Sequence, residues 1–523
     1  MAEQPVAARR TVTTLLLNAA AIVERADEGI LPAVYYFIGR SLNATLSQLG
    51  TLVLCRALVQ ALSSPLSGVL GDRYDRTYIV SVGCLLWGVM TAAIGLSMSL
   101  GQAMVSCAFN GLGLALVIPC VQSLIADYYP PDCRGNAFGM MGLTASFGGM
   151  VGAFYATNVG SQTPFGIEGW RFAFHLIAAI SLVTSFLVYK YAVDPRHLAH
   201  HPSVHGGSPG GHHHVVVAGK EAAAKDWGQL PPRPPGSLLR DPQVWADIKH
   251  VMAIRSFQIV VAQGIVGSTP WQAMVMFTVW LQLLGFSDLE ASSLMAIFSL
   301  GCAVGGLVGG TLGDWAARRW PNSGRILACQ LSEPQGGGGA GGYLQLVVLS
   351  GLPLSFLLLK GLPAGGIMGQ YTLPYGAVLL LMGLSVSWCG ANNSSIFADL
   401  VPEQLRSTIY AFDRSFEGAI AACGAPLVGL VAERWFGFEG AVGQGQEGAY
   451  RNALALANAL LVCLVAPWLL CLLSYTALHW SYPRDRRKSA VGSPGPRRAP
   501  SELELGAQAL LDSAKVRKRG EGR

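Results

Sequence analysis

Twelve long apolar segments constrain the fold of this chain more than any other feature. A helix needs about 20 largely apolar residues to cross a bilayer, and backbone polar groups in lipid are satisfied only by helices or closed barrels. The chain is 13% charged, whereas soluble domains are about 25% charged. We therefore predict an all-α membrane protein with spans near residues 13–38, 46–70, 78–99, 101–126, 136–159, 168–192, 252–284, 288–313, 325–360, 371–398, 407–433 and 450–478.

Less apolar stretches divide these spans into two bundles. We predict a cytoplasmic N-terminus over 1–12, a six-helix bundle over 13–192, a cytoplasmic linker over 193–250, a second bundle over 251–480 and a basic, largely disordered cytoplasmic tail over 481–523. The linker is rich in His, Pro and Gly, but it offers no carboxylates or cysteines that match a metal site, so we predict a solvated linker. A Gly-rich insertion at about 332–342 interrupts the ninth span: either the helix begins near Tyr343 or the insertion splits it.

Basic residues set the predicted orientation. They fall mainly in even-numbered connections and in the tail, and such residues favour the cytoplasmic side. We therefore predict a multi-pass protein with both termini in the cytoplasm, in either the plasma membrane or an endomembrane.

Two charged markers occur twice along the chain. Gly68–Asp72 and Gly310–Asp314 both read G-x-L-G-D and are followed by basic residues. In the second marker, Asp, Pro and Arg keep the same spacing in Asp127–Arg134 and in Asp399–Arg406. This duplication predicts two six-helix parallel repeats.

These markers resemble those of the major facilitator superfamily. Gly71–Tyr78, Ser123–Asp127 and the pair Glu24-Arg25 are similar to the Spinster-like group. The resemblance covers nearly the whole chain apart from the linker, the insertion and the tail, and it implies a twelve-helix transporter. One departure concerns the fourth span, where the group places an arginine just before the first glycine and this chain has Asn110 before Gly111. A proton relay or headgroup clamp through that arginine is therefore not expected.

The markers are predicted to form a cytoplasmic gate, meaning contacts that close the two halves on the cytoplasmic side. We expect Asp72 to face the N-terminus of the fifth helix and Arg73 or Arg76 to pair with Asp127. The alternative is that these charges only anchor loops and orient the chain. The candidates are Gly71, Asp72, Arg73, Arg76, Asp127, Arg134, Gly313, Asp314, Arg318, Asp399, Arg406, Asp413, Arg414 and Glu417. For the last three, a central site is an equal alternative.

The first span carries the strongest candidate for a coupling site. Glu24, Asp27 and Glu28 share a helical face, and Arg25 can pair with Glu28. Ionisable residues at membrane depth normally face a cavity or a partner, and burial favours the neutral form of a carboxyl group. We therefore predict a proton carrier here; the alternative is a wet structural cluster near the outer end.

Other polar residues are candidates to line the same cavity. Arg255 in the seventh span is expected to neutralise an acid of the first span or to bind an anionic headgroup. The neutral candidates are Asn110, Gln258, Asn392 and Asn393.

The chain lacks the motifs of nucleotide binding and of common hydrolases. We predict a monomeric secondary carrier, not an enzyme, with no cofactor, metal or nucleic-acid partner. Its substrate is predicted to be a small organic or amphipathic lipid-like solute, and a proton is the expected coupling ion. A facilitative uniporter and a carrier-fold receptor or sensor are the alternatives.

Overall fold

A computed structural model describes residues 6–129, 131–195, 249, 252–320, 326, 346–364, 368–387, 417–440 and 446–492. Every regular element within these ranges is a helix. The N-terminal half comprises α1 (Val6–Ala33), α2 (Tyr35–Ser41), α3 (Leu46–Arg73), α4 (Arg76–Leu96), α5 (Leu100–Tyr128), α6 (Pro131–Gly160) and α7 (Gly169–Tyr191). Here α1 and α2 together form the predicted first span.

The described part of the C-terminal half follows the same order. It comprises α8 (Arg255–Met274), α9 (Phe277–Leu284), α10 (Asp288–Arg319), α11 (Leu346–Phe356, continued by a π-helical turn to Gly361), α12 (Thr372–Val386), α13 (Gly424–Trp435) and α14 (Gln446–Gly492). The predicted seventh span is divided into α8 and α9. The Gly-rich insertion and nearly all of the predicted linker lie outside the described residues.

Six helices in the described ranges are long and apolar enough to cross a bilayer. Their apolar stretches are Leu46–Ser64, Arg76–Leu96, Leu100–Ile125, Gly169–Tyr191, Asp288–Gly306 and Gly448–Asp485. Helix α1 has 28 residues, but four of them between Glu24 and Glu28 are charged. Helix α1 is therefore long enough to cross a bilayer, but its charged residues indicate a polar site within the helix.

Equivalent helices of the two halves begin with the same local signal. Helix α3 starts with a capping box formed by Thr45 and Gln48, and α10 starts with one formed by Ser287 and Glu290. A capping box satisfies backbone N–H groups that the first helical turn leaves without partners. Because α3 and α10 are the second helices of their repeats, the duplication extends to the way in which these helices begin.

Both ends of the helical core reach further than the sequence predicts. Helix α1 begins at Val6 instead of near residue 13, and the Arg10 guanidinium lies 4.4 Å from the centre of the Tyr129 ring. Helix α14 continues to Gly492, where a disordered tail was predicted to start at 481. Tyr482 is buried, and Asp485 accepts hydrogen bonds from the backbone N–H and hydroxyl of Ser256. These contacts stabilise the added turns of α14.

One end of the bundle is the predicted outer end. There a carboxylate joins α2 to α7: Glu168 accepts hydrogen bonds from the Ser41 hydroxyl at 2.9 Å, from Arg171 Nε at 2.7 Å and from Trp170 Nε1 at 3.1 Å. Arg171 also donates to the carbonyl of Ser97 just beyond α4. Partial burial opposes ionisation of Glu168, but these hydrogen bonds and the Arg171 charge hold its pKa below the ordinary value.

Candidate functional site

A buried polar network joins four helices of the N-terminal half. Arg56 Nη2 of α3 lies 3.2 Å from Asp27 Oδ2 of α1. The Thr91 hydroxyl of α4 donates to Asp27 Oδ1 at 2.8 Å, and Asn110 Nδ2 of α5 donates to Thr91 Oγ1 at 2.9 Å. All four side chains are buried. We call these four residues the polar network.

Close packing of α5 on α3 places Asn110 in this network. Gly111 follows it, and a Cβ atom at Gly111 would lie 2.2 Å from the carbonyl oxygen of Arg56. Real Cβ atoms do not approach other atoms this closely, so only glycine permits this approach. Small residues at helix contacts serve this purpose in membrane proteins.

The remaining charges of α1 divide between a buried and an exposed side. Glu24 is 7% exposed, and its ion pair is a 3.7 Å contact with Arg25 Nε. Arg25 Nη1 donates to Glu28 Oε2 at 2.5 Å, as predicted, and these two side chains are 54% and 52% exposed. The three acids of this helical face therefore differ in exposure: Glu24 and Asp27 are buried, whereas Glu28 is exposed.

The partner of the buried acids is Arg56, which the sequence reasoning missed. Arg255 was expected there, but it begins α8, is exposed and forms no ion pair with a described residue. Arg56 is the one charged residue in the second apolar segment between Leu46 and Gly71, a signal that could have identified it. It also supplies, from the neighbouring helix, the positive charge that Asn110 does not provide on α5.

The predicted pair of Arg76 and Asp127 is present, but it lies within one half. Arg76 Nη1 is 2.6 Å from Asp127 Oδ2 and 2.7 Å from the Ser123 hydroxyl. Arg76 also binds the buried carboxylate of Asp194, with Nη2 to Oδ1 at 2.8 Å and Nε to Oδ2 at 3.0 Å. These four residues lie at the predicted cytoplasmic end, and we call them the cytoplasmic cluster. It joins α4, α5 and the segment after α7, so these bonds do not close a gate between the halves.

Only some of the other predicted gate residues lie within the described part of the chain. Gly71, Asp72 and Arg73 lie in the last turns of α3, Arg134 in the first turn of α6, and Gly313 and Asp314 near the end of α10; Arg318 on that helix is exposed. Of the cavity candidates, Gln258 is exposed and donates to the carbonyl of Met252. Outside the described residues lie Asn392, Asn393, Asp399, Arg406, Asp413 and Arg414.

Glu417 contacts the middle of α8. It accepts a hydrogen bond from the Ser268 hydroxyl in the interior of α8. Ser268 lies 13 positions after Arg255 (268 − 255), where α8 begins, which is about 20 Å along the helix. This position favours the central-site alternative for Glu417, and both alternatives stay predictions.

The two halves meet at the predicted outer end through α3 and α13. The backbone N–H and the hydroxyl of Ser47 each donate to the Glu433 carboxylate at 2.8 Å. A Cβ atom at Gly50 would lie 2.5 Å from the backbone nitrogen of Pro426, and one at Gly429 would lie 2.3 Å from that of Ser47. The two helix backbones are thus in direct contact.

A second contact between the halves lies between α6 and α10. Asn158 Nδ2 donates to the Ser292 hydroxyl at 2.8 Å. Asn158 is near the end of α6 and Ser292 is near the start of α10, so this contact also lies at the predicted outer end. We call the contacts of α3 with α13 and of α6 with α10 the outer contact.

Comparison with known families decides the class of protein. The family model described as Major Facilitator Superfamily matches residues 17–334, which is more than half of the chain. The chain belongs to the Major Facilitator Superfamily. Membership of this family indicates a transporter rather than an enzyme.

Curated relatives match a smaller part of this superfamily member. Multidrug resistance protein 1 of Bacillus subtilis is 28% identical over 173 residues, which is 32% of this chain and 43% of the relative. The quinolone resistance protein NorA of Staphylococcus aureus is 27% identical over 157 residues, 29% of this chain and 40% of the relative. The matched region thus spans about two fifths of the length of these relatives.

Solved structures match nearly the whole chain. A bacterial homologue of the human lysosomal transporter Spinster, in an inward-facing and unoccupied conformation, gives a TM-score of 0.69 at 17% identity, over 93% of this chain and 99% of that one. A D-xylose-proton symporter gives 0.58 at 13% identity, over 86% and 96%. At these identities the likeness shows the fold alone. It confirms the predicted major facilitator fold.

Proposed function

We propose that this protein is a proton-coupled secondary active transporter that works by alternating access. It acts as a monomer with both termini in the cytoplasm and moves a small organic or amphipathic lipid-like solute. The observation that carries the proposal is the presence of two buried acids, Glu24 and Asp27, on α1 beside the buried Arg56 of α3. Ionisable groups are costly at membrane depth and mark ion or substrate pathways there.

The contacts of the two acids favour Glu24 as the group that binds the proton. Asp27 accepts from Thr91 and faces Arg56, so both of its carboxylate oxygens have polar partners. Glu24 has only the 3.7 Å contact with Arg25 and accepts no hydrogen bond from a described residue. Since an unpaired buried charge costs more than a neutral carboxyl group, a proton binds more readily at Glu24 than at Asp27.

The exposed pair of Arg25 and Glu28 supports a water-filled cavity beside this site. Both side chains are about half exposed, although they lie in the same turn of α1 as the buried acids. Charged groups in a membrane helix face a cavity or the bundle interior rather than lipid. Because the outer contact is closed, we propose that the cavity opens to the cytoplasm, as in the inward-facing Spinster homologue.

The names of related proteins support the proposed substrate class and coupling ion. Curated relatives are named for multidrug and quinolone resistance, and one protein of the same fold is a D-xylose-proton symporter. These names favour an organic solute and are compatible with proton coupling.

Transport into proteoliposomes tests the proposal. A fluorescent quinolone and a fluorescent lysophospholipid serve as probes of the two solute classes, each with and without an imposed pH gradient. We expect one probe to accumulate with the gradient, and the accumulation to be lost in Glu24→Gln. Arg451→Gln, which changes an exposed ion pair with Glu439, is the control. Uptake that ignores the gradient would support a uniporter, and uptake of both probes equal to that of protein-free vesicles would refute the proposed solute classes.

A further inference from the structure

Helix α3 carries both the buried arginine and one side of the outer contact. Arg56 lies nine positions after Ser47 (56 − 47) on this continuous helix, which is about 14 Å along its axis. Gly50, between them, contacts the backbone of α13. Because one continuous helix carries all three residues, a shift of the α3 backbone at Arg56 also moves Ser47 and Gly50.

The contacts of the Arg56 guanidinium with Asp27 are long. Its Nη2 lies 3.2 Å from Asp27 Oδ2 but makes no hydrogen bond, and its Nη1 donates to the carbonyl oxygen of Asp27 at 3.5 Å. A well-formed arginine–carboxylate pair has two parallel hydrogen bonds of about 2.7–2.9 Å. Glu24 is also buried and lies about one helical turn before Asp27 on α1, so Arg56 has a second acid nearby besides its 3.2 Å partner.

We propose that Arg56 is a positioning residue that couples the protonation of Glu24 to the outer contact through α3. This inference rests on the proposed function. With a proton on Glu24, Arg56 faces Asp27 as in this structure, and Ser47 and Gly50 close against α13. When the Glu24 proton leaves to the cavity water, a second buried carboxylate attracts Arg56, α3 shifts, and the contact of Ser47 with Glu433 loosens.

The other groups around Glu24 and Arg56 are consistent with this pair as the switching element. Helix α6 presents glycines to α1, among them Gly148 and Gly152. Arg171 and His175 of α7 face Gly95 of α4 instead of α1. Within the described part of the chain, the titratable or charged groups near Glu24 or Arg56 include Arg25, Asp27 and Glu28 of α1, Tyr35 of α2, Cys84 of α4 and Cys107 of α5.

Spin labels at the predicted outer end measure the proposed coupling. Phe165 and Leu373 are 91% and 83% exposed and lie in opposite halves, so cysteines at these positions accept labels in the full chain, reconstituted in lipid nanodiscs. The distance between the labels is measured over a range of pH. In the wild type we expect the short distance of the closed outer contact at low pH and a longer one at high pH.

Variants separate coupling from a merely structural role. Glu24→Gln should keep the short distance at every pH, and Arg56→Gln should remove the pH dependence, whereas Arg56→Lys should retain it. Asp27→Asn leaves Arg56 with Glu24 as its buried acid and should shift the opening to lower pH, which tests the inference even if Arg56→Gln does not fold. Arg76→Gln removes a buried arginine from the cytoplasmic cluster and should keep the wild-type response.

Two results would overturn the inference. One is an Arg56→Gln protein, or an Asp27→Asn protein, with the pH response of the wild type. The other is a wild-type distance that does not change with pH while uptake still depends on the pH gradient, because the proposed function would then stand without this coupling. Uptake that ignores the gradient would instead reject proton coupling itself.

Discussion

Replacing Gly50 by alanine perturbs the outer contact without changing charge. The added Cβ would lie 2.5 Å from the backbone nitrogen and 2.6 Å from the Cα of Pro426. These are backbone atoms, so no side-chain rotation relieves the overlap and α3 must move away from α13. Overpacking of this kind costs about 1–3 kcal/mol. If the halves separate here in the outward-open state, the cost falls on the closed state alone, and the ratio of closed to open molecules should drop about 5- to 150-fold.

Distances between labels at positions 165 and 373 measure this ratio directly. Two glycines of α10 provide matched controls. A Cβ at Gly306 meets no atom within 4 Å, so Gly306→Ala should change nothing. A Cβ at Gly305 would lie 2.3 Å from the carbonyl of Leu384 in the same half, so Gly305→Ala should lower the thermal stability but leave the distances unchanged. A Gly50→Ala protein with the wild-type distance distribution would refute the assignment of Gly50 to a contact that opens.

Three further predictions concern contacts within the N-terminal half, each measured as thermal unfolding in detergent. Arg76→Gln removes the cation that faces the buried Asp194 carboxylate and should cost about 3–5 kcal/mol of unfolding free energy; its label distances should not change, and a change would restore the gate interpretation. Thr91→Val breaks two buried hydrogen bonds and should cost about 1–3 kcal/mol, more than Thr184→Val, whose hydroxyl bonds only its own helix. Because the pKa of Glu168 is held below its ordinary value, its stabilisation is complete above the unfolded-state pKa and is lost as the pH falls through the folded-state value. The melting temperature should therefore fall more on acidification in the wild type than in Glu168→Gln, and an equal fall would contradict this account.

The fold was predictable because its signals are local and repeated. Apolar length identifies spans such as Arg76–Leu96, and the duplicated markers after the second and eighth spans reveal the two repeats. Helix ends were less predictable, since they depend on tertiary contacts. The extension of α14 past residue 480 is stabilised by the bond of Asp485 to Ser256, more than 200 positions away in the chain, and no local pattern encodes that contact.

The candidate site was predictable in its residue types but not in its pairing. A charge at membrane depth is visible in sequence, and the acids of α1 were identified on that ground. Which cation meets Asp27 depends on how α3 packs against α1 and α5, and the sequence named Arg255 where the structure has Arg56. The same limit applied to Arg76: its spacing to Asp127 predicted the pair, but not that Asp194 completes a cluster within one half.

The distribution of contacts between and within the halves explains why the charged markers suit a transporter even though the bonds of Arg76 lie within one half. Rocking of two bundles requires each half to keep its shape. The free energies of the two end states must also lie close together, because a ligand has to offset their difference. A nearly complete shift from one state to the other takes about 5.5 kcal/mol. The cytoplasmic cluster places a buried arginine between two carboxylates inside one half, where breaking it is expensive. The outer contact consists of two hydrogen bonds from Ser47 to the Glu433 carboxylate, one amide–hydroxyl bond and glycine packing. A neutral hydrogen bond contributes about 1 kcal/mol net, and one to a charged group about 1.5–3 kcal/mol. Buried ion pairs thus hold the moving body together, and a few hydrogen bonds without an ion pair hold the interface that must open.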